Sequence, residues 1–206
     1  MVSERSLTRL TGPERRDSIV AAARGVFAQH GFHGASTADI AAAAGCSEPT
    51  LYKHFASKHE LFAAVLADAG LSVKARVLDA LDGAADPFAA LIDVSARLMA
   101  DPAWSELMRL RSLAITMTDD DPSIRETMRA SAFGHCQTMA GAIRAGQERG
   151  AVRPEVDPDA IGWIAVAISL LANYRYALEG EPGLADMPRV MAALASIIRT
   201  PPEAPR

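Results

Sequence analysis

Cysteine is nearly missing from this 206-residue chain. Cys46 and Cys136 stand far apart and form no CxxC pair, which excludes a disulfide framework and a thiolate zinc site. That usage predicts a reducing, cytoplasmic compartment. Aromatic residues are sparse at 5%, and no stretch of four to eight residues alternates apolar with polar, so sheet is not expected. Basic charge is not in excess either: 21 Lys and Arg against 25 Asp and Glu leave a net charge of −4. A chain coated in positive charge is excluded, and any nucleic-acid contact has to be local. The longest uncharged run, Ala160 to Tyr174, has 15 residues. A spanning helix needs roughly 18, so this run reads as buried protein interior, and no membrane partner is expected. The polar start Met-Val-Ser-Glu-Arg is followed by no apolar leader. The GxSxG, HExxH, P-loop and GxGxxG signatures are missing as well. The pairs His30/His33 and His54/His59 do not fall four apart on one helix, so no enzyme, metal site or cofactor is expected.

What the chain has in quantity is alanine, the best helix former, at 41 positions. The expected fold is all-α: an amino-terminal three-helix helix-turn-helix domain followed by a larger helical domain. Residues 1–12 read as a flexible arm carrying Arg5 and Arg9, and a first helix starts near Pro13 and closes at Gly31 and Gly34. Short helices over Thr37–Ala44 and Ser47–Phe55 are followed by a long one from Lys58 to about Leu81, ended by Asp82-Gly83 and Asp86-Pro87. Five more are expected at Phe88–Met99, Pro102–Thr116, Pro122–Arg149, Pro158–Glu179 and Pro188–Ile198. Three of these open on Asp-Pro, a turn followed by proline in the first helical turn. The domain limits that follow are 13–66 and 67–200, with the proline-rich tail 201–206 outside any helix.

Charge and histidine concentrate at the amino end. Residues 1–60 hold 7 Lys/Arg and 6 Asp/Glu, with four of the five histidines. Within this segment, residues 37–56 read as a helix-turn-helix. Ser36 caps the first helix with Asp39 as its capping-box partner, Gly45 ends it, and Ser47 caps the second. Leu51 and Phe55 face inward, leaving Glu48, Thr50, Tyr52, Lys53 and His54 outward, a face of hydroxyls and cations suited to phosphates and base edges. In Ser57-Lys58-His59-Glu60, another capping box, Lys58 sits in a first helical turn, against the helix dipole. A docked phosphate would account for that placement, and so would an ordinary solvated lysine.

The segments Gly31-Phe32, Ser36-Thr37-Ala38-Asp39-Ile40-Ala41, Ala44-Gly45-Cys46-Ser47, Thr50-Leu51-Tyr52-Lys53-His54-Phe55 and Ser57-Lys58-His59-Glu60-Leu61 together resemble the DNA-binding domain of TetR-type (tetracycline-repressor-like) transcriptional regulators. The resemblance covers residues 13–66 without a gap. It implies that Thr37 contacts a phosphate from the start of the second helix, that Tyr52 and His54 hold the DNA backbone, and that Lys58 clamps the next phosphate. Ser47, Pro49, Thr50 and Lys53 would lie nearest the major groove. Glu48 departs from the family pattern; it serves either as a cap carboxylate or as an acceptor for cytosine N4. Cys46 reads as a structural thiol.

A helix apolar nearly all round, as Ala160–Tyr174 is, needs cover on every side. The last helix, with Val190, Met191, Leu194, Ile197 and Ile198, carries a matching stripe, and the resemblance implies a homodimer through these two helices. In the middle helices Trp104, Met108, Arg111, Ile115, Met128, His135, Met139 and Asn173 are candidates for a small-molecule effector pocket. The expected function is a sequence-specific DNA-binding regulator, a repressor released from a palindromic operator by its effector. The competing reading is a helical adaptor that has lost DNA binding, which the net acidic charge favours and the Tyr52, Lys53, His54 and Lys58 cluster opposes.

Overall fold

The structure, a computed structural model, describes residues 10–99 and 101–200; Arg5, Arg9 and the tail 201–206 lie outside the described residues. Among the described residues there are nine α-helices and no strand: α1 (Gly12–Gly34), α2 (Thr37–Ala43), α3 (Glu48–His54), α4 (Lys58–Leu81), α5 (Pro87–Met99), α6 (Pro102–Ile115), α7 (Pro122–Glu148), α8 (Pro158–Glu179) and α9 (Met187–Ile198). A 3₁₀ turn at Glu181–Leu184, not expected from the sequence, joins the last two. The chain divides into two compact units between Val65 and Leu66.

In the first unit, α1 begins earlier than its proline suggests. Thr11 and Glu14 form a reciprocal capping box, in which the Glu14 carboxylate accepts from the Thr11 amide at 2.8 Å. Thr11 and Gly12 therefore belong to the helix start and not to an arm. Ile19, Ala23 and Phe27 lie on one buried stripe, and Gly31, with φ of 69°, breaks the helical path before the final turn. Phe27 packs edge-on to Phe62 of α4 at 5.0 Å between ring centroids, and Phe32 lies 5.3 Å from the same ring. Leu51 and Phe55 from the α3 segment and Ile40 from α2 are buried as well.

The turn between α2 and α3 is a Schellman motif. The Gly45 amide donates to the Ala42 carbonyl at 3.1 Å and the Cys46 amide to the Ala41 carbonyl at 2.9 Å, with Gly45 at φ 62°. Both bonds satisfy carbonyls that the seven-residue α2 would otherwise leave open.

In the second unit, the Asp-Pro signals act as read. Asp101, Asp121 and Asp157 each accept from amides of the helix they precede, at 2.8–3.2 Å. Val77 of α4, Phe88 and Leu98 of α5, Met139 and Ile143 of α7, and Ile198 of α9 share one core. Helices α7 and α8 approach closely because Gly162 has no side chain: a Cβ there would stand 2.6 Å from the Cys136 carbonyl oxygen. The carboxyl end is tied down by Arg153 N–H donating to the Ile198 carbonyl at 3.1 Å and by an Arg199–Asp86 ion pair at 2.9 Å.

One expectation fails. The run from Ala160 to Tyr174 is not interior. Its helix α8 is long and apolar enough to cross a membrane by length and composition, and only 28% of its most apolar window is buried. Gly162, Val166, Ala172 and Asn173 face inward, while Trp163, Ile164, Leu170 and Leu171 are each more than 40% exposed. Counting only uncharged residues missed this, because the charges Asp159 and Arg175 sit at its margins.

A Cβ on Gly45 would meet nothing within 4 Å, so substitution there isolates the backbone cost. Gly45→Ala is expected to lower the unfolding free energy by about 1 kcal/mol and Gly45→Asn by less, as read by urea unfolding.

Candidate nucleic-acid interface and ligand cavity

The eight residues assigned to DNA contact lie on α2, on α3 and its cap Ser47, and at the start of α4. Ser47, Pro49, Tyr52 and Lys53 are exposed, and Thr37, Thr50, His54 and Lys58 are half-buried. Ser47 caps α3: its hydroxyl accepts from the Thr50 amide and lies 2.9 Å from the Thr50 hydroxyl. Because Leu51 and Phe55 are locked inward, the alternate face of α3 has to turn outward, and the Tyr52 ring is 48% exposed.

Three more of the residues, Thr37, Tyr52 and Lys58, have partners on other elements. The Thr37 hydroxyl donates to the Glu48 carboxylate at 2.5 Å and accepts from the Tyr52 hydroxyl at 3.4 Å, so the starts of α2 and α3 are joined. Glu48 is thus an acceptor for Thr37 as well as a first-turn acid on α3. Lys58 donates from Nζ to the Ala35 carbonyl at 2.8 Å, and its ammonium stands 4.6 Å over the Phe32 ring. This gives the cation in the first turn of α4 an internal reason: a carbonyl just past α1 and an aromatic face offset the unfavourable dipole. An ammonium has three donors, so the bond to Ala35 does not exhaust it.

The second unit contains a cavity of about 440 Å³. Of the eight effector candidates, Trp104, Met108, Arg111, His135 and Met139 line it, and Ile115, Met128 and Asn173 do not. Position along the helices marks two of the exclusions: Ile115 and Asn173 fall one turn beyond Arg111 and Ser169, the last lining residues of α6 and α8. Ile115 is the last residue of α6 and 43% exposed, and Asn173 is buried in α8 with its amide atoms unpartnered. Arg111, half-buried on the cavity wall, donates from Nη1 to Ser131 at 3.2 Å. Its guanidinium is held below its ordinary pKa by burial. His135 is pushed down to about 4, by desolvation first, by the nearby Arg111 charge second, and against a hydrogen bond to the Ala165 backbone.

A family model described as bacterial regulatory proteins, tetR family, matches residues 19–65. The HTH-type transcriptional activator FasR of Mycolicibacterium smegmatis is 50% identical over 58 residues, and the HTH-type transcriptional repressor ComR of Escherichia coli is 45% identical over 51. These alignments take in 28% and 25% of this chain and only 26% and 24% of those proteins. The fold match is far wider. A TetR transcriptional regulator from Chloroflexus aurantiacus superposes with a TM-score of 0.75 at 28% identity, over 92% of this chain and 98% of that one. The amino-terminal unit is thus similar to the DNA-binding domain of tetR-family regulators, and the fold of the chain is that of a TetR regulator. A transcriptional regulator from Saccharomonospora viridis, solved in complex with choline, has the same fold, with a TM-score of 0.78 at 22% identity over 92% of this chain and 100% of that one.

The family match stops at residue 65, and the cavity is lined from Leu66 onward. Sequence reasoning missed that α4 and α5 contribute to the lining, through Leu66, Gly70 and Val77 and through Ser95 and Leu98. Their spacing of three, four and seven was visible, but it is also the spacing of a plain core stripe. Arg15 and Arg16 were passed over too. Arg15 donates to the Ala44 carbonyl at the end of α2, and Arg16 lies 4.8 Å over the Phe55 ring, so both hold the helix-turn-helix onto α1.

The His135 environment sets a pH dependence. Its folded pKa lies below the ordinary value of 6.5, so the unfolded chain binds the proton more readily. The associated stability is complete above pH 6.5 and is lost as pH falls toward 4. Unfolding free energy of the parent is expected to drop through that window by up to about 3 kcal/mol more than that of His135→Gln, measured by urea unfolding at stepped pH.

Proposed function

We propose that this chain is a homodimeric, ligand-responsive transcriptional repressor of the TetR type. The observation that carries the DNA-binding part is the outward face of α3. Leu51 and Phe55 fix its rotation, and Thr50, Tyr52 and Lys53 are presented on the other side of a closed Schellman turn. Such a face reads base edges with Ser47, Pro49, Thr50 and Lys53, and grips backbone with Tyr52, His54 and Lys58. On binding, the Thr37 hydroxyl exchanges the Glu48 carboxylate for a phosphate oxygen.

Dimerisation is supported by the exposed apolar sides of α8 and α9. Trp163, Ile164, Leu170, Leu171, Leu178 and Ile197 are each at least 41% exposed, a density of surface hydrophobics that marks an association surface. A two-fold pair of recognition helices then addresses a near-palindromic operator, about one helical turn between half-sites or somewhat more. The double-stranded operator and a small-molecule effector are the partners of this reading, and a cytoplasmic location follows from it. The choline bound to the Saccharomonospora viridis regulator supports an effector role for the cavity here. Helix α4 starts in the DNA-contacting unit at Lys58 and lines the cavity from Leu66 to Val77. A ligand acts through it only by favouring one arrangement of that helix over another.

Selection of bound duplexes from a random pool by the purified chain tests the reading, and failure to enrich any sequence at low salt overturns it in favour of an adaptor. On a selected duplex, Lys58→Met is expected to weaken all sequences alike and to flatten the salt slope by about one unit. Lys53→Ala changes sequence preference instead. Leu171→Glu combined with Ile197→Glu is expected to halve the sedimenting mass and abolish tight operator binding without loss of helical signal.

A further inference from the structure

The cavity holds an electrostatic imbalance. Arg111 enters it from α6, in the middle of an apolar wall that includes Leu107, Met108 and Met139. Among the described residues no carboxylate pairs with it, whereas Arg76, Arg144, Arg175 and Arg199 of the same unit all have acidic partners. Its one hydrogen bond is from Nη1 to the neutral Ser131 hydroxyl. Its Nε is buried with no acceptor, and among the described residues none accepts from Nη2. Nε and Nη2 form the side edge of the guanidinium, two parallel N–H groups spaced to meet the two oxygens of a carboxylate. Two turns earlier on the same helix, Trp104 also lines the cavity, and its buried Nε1–H is likewise without an acceptor. The unmet groups on this wall are therefore all donors. Lys74 and Glu126 line the cavity too, but both are exposed, and Glu126 is engaged by Arg129 at 2.7 Å.

A buried, unpaired charge is costly to keep, and a neutral residue of similar length would fill the same space without that cost. We propose that the cavity binds an amphipathic carboxylic acid in its ionised form, with the carboxylate on the Nε and Nη2 edge of Arg111 and the apolar body along Met108, Met139 and Trp104. The volume of about 440 Å³ accommodates a ligand of medium size. His135 does not compete for the anion, since an imidazole with a pKa near 4 is neutral at physiological pH. This inference names the ligand class of the effector site and rests on the reading of the cavity as that site.

The test uses the full chain and three straight-chain probes of equal length, decanoate, 1-decanol and decylamine, each below its aggregation range. Binding is read by calorimetry, and release of a selected duplex is read by fluorescence anisotropy. Decanoate is expected to bind one per chain, at least about tenfold more tightly than the alcohol or the amine. Arg111→Met should weaken decanoate at least about tenfold, leave 1-decanol unchanged, and melt no lower than the parent without ligand. Arg111→Gln serves as the second variant should the first fail to fold. Equal or tighter binding of decanol or decylamine by the parent, or undiminished decanoate binding by both variants, overturns the carboxylate assignment and leaves the effector site standing. Binding of none of the three removes the cavity as a ligand site and the assignment with it. Arg111-dependent decanoate binding that leaves the duplex bound upholds the assignment and overturns only the effector role.

Discussion

The amino-terminal unit depends on the packing of three phenylalanines. Phe27, Phe32 and Phe62 come from the middle of α1, its kinked end and α4, and their rings pack on one another at 5.0–5.9 Å. The kink at Gly31 is what lets Phe32 turn back onto the cluster. The Phe32 ring then receives the Lys58 ammonium, whose remaining reach goes to the Ala35 carbonyl. In this way one aromatic centre sets the entry to α2 and the start of α4. Arg15 and Arg16 of α1 fix the other side, on the Ala44 carbonyl and the Phe55 ring. A two-helix motif of seven residues each cannot hold its own orientation; these contacts from its neighbours supply it.

Most of the architecture was legible because its signals are local. The Asp-Pro starts, the Ser36, Ser47 and Ser57 hydroxyl caps and the Gly45 turn each state a backbone requirement within a few residues, and the structure makes those bonds. Neither expected capping box closes, however: the Asp39 carboxylate takes the Ser36 hydroxyl and the Glu60 carboxylate takes the Ala56 amide. Less legible were features that depend on what lies across a gap. The sequence places Lys58 in a first turn but says nothing of a carbonyl at Ala35. It makes Glu48 an odd acid without showing that Thr37, eleven residues earlier, hands it a hydroxyl. The cavity is the extreme case. Arg111, His135 and Met139 were singled out as polar or adaptable residues in apolar helices, yet the same criterion also chose Met128 and Asn173, which share the phase of lining residues and still do not line the cavity.

The reason α8 was misread as interior is instructive about apolar runs. A helix surrounded by its own fold and a helix covered by a second chain carry the same composition, since both lose water around their circumference. What separates them is the distribution of size. The inward positions Gly162, Val166 and Ala172 are small, and at Gly162 a side chain would collide with the Cys136 backbone. The outward positions Trp163, Ile164, Leu170 and Leu171 are large. Small residues permit close approach to a neighbour already present, and large ones supply area that is useful only when something else covers it. The Trp163 ring, set edge-on to Phe133 of α7 at 5.1 Å, extends that uncovered apolar area beyond α8 itself. The two faces thus differ in kind, the inner one closed against α7 and the outer one large, apolar and exposed in the single chain.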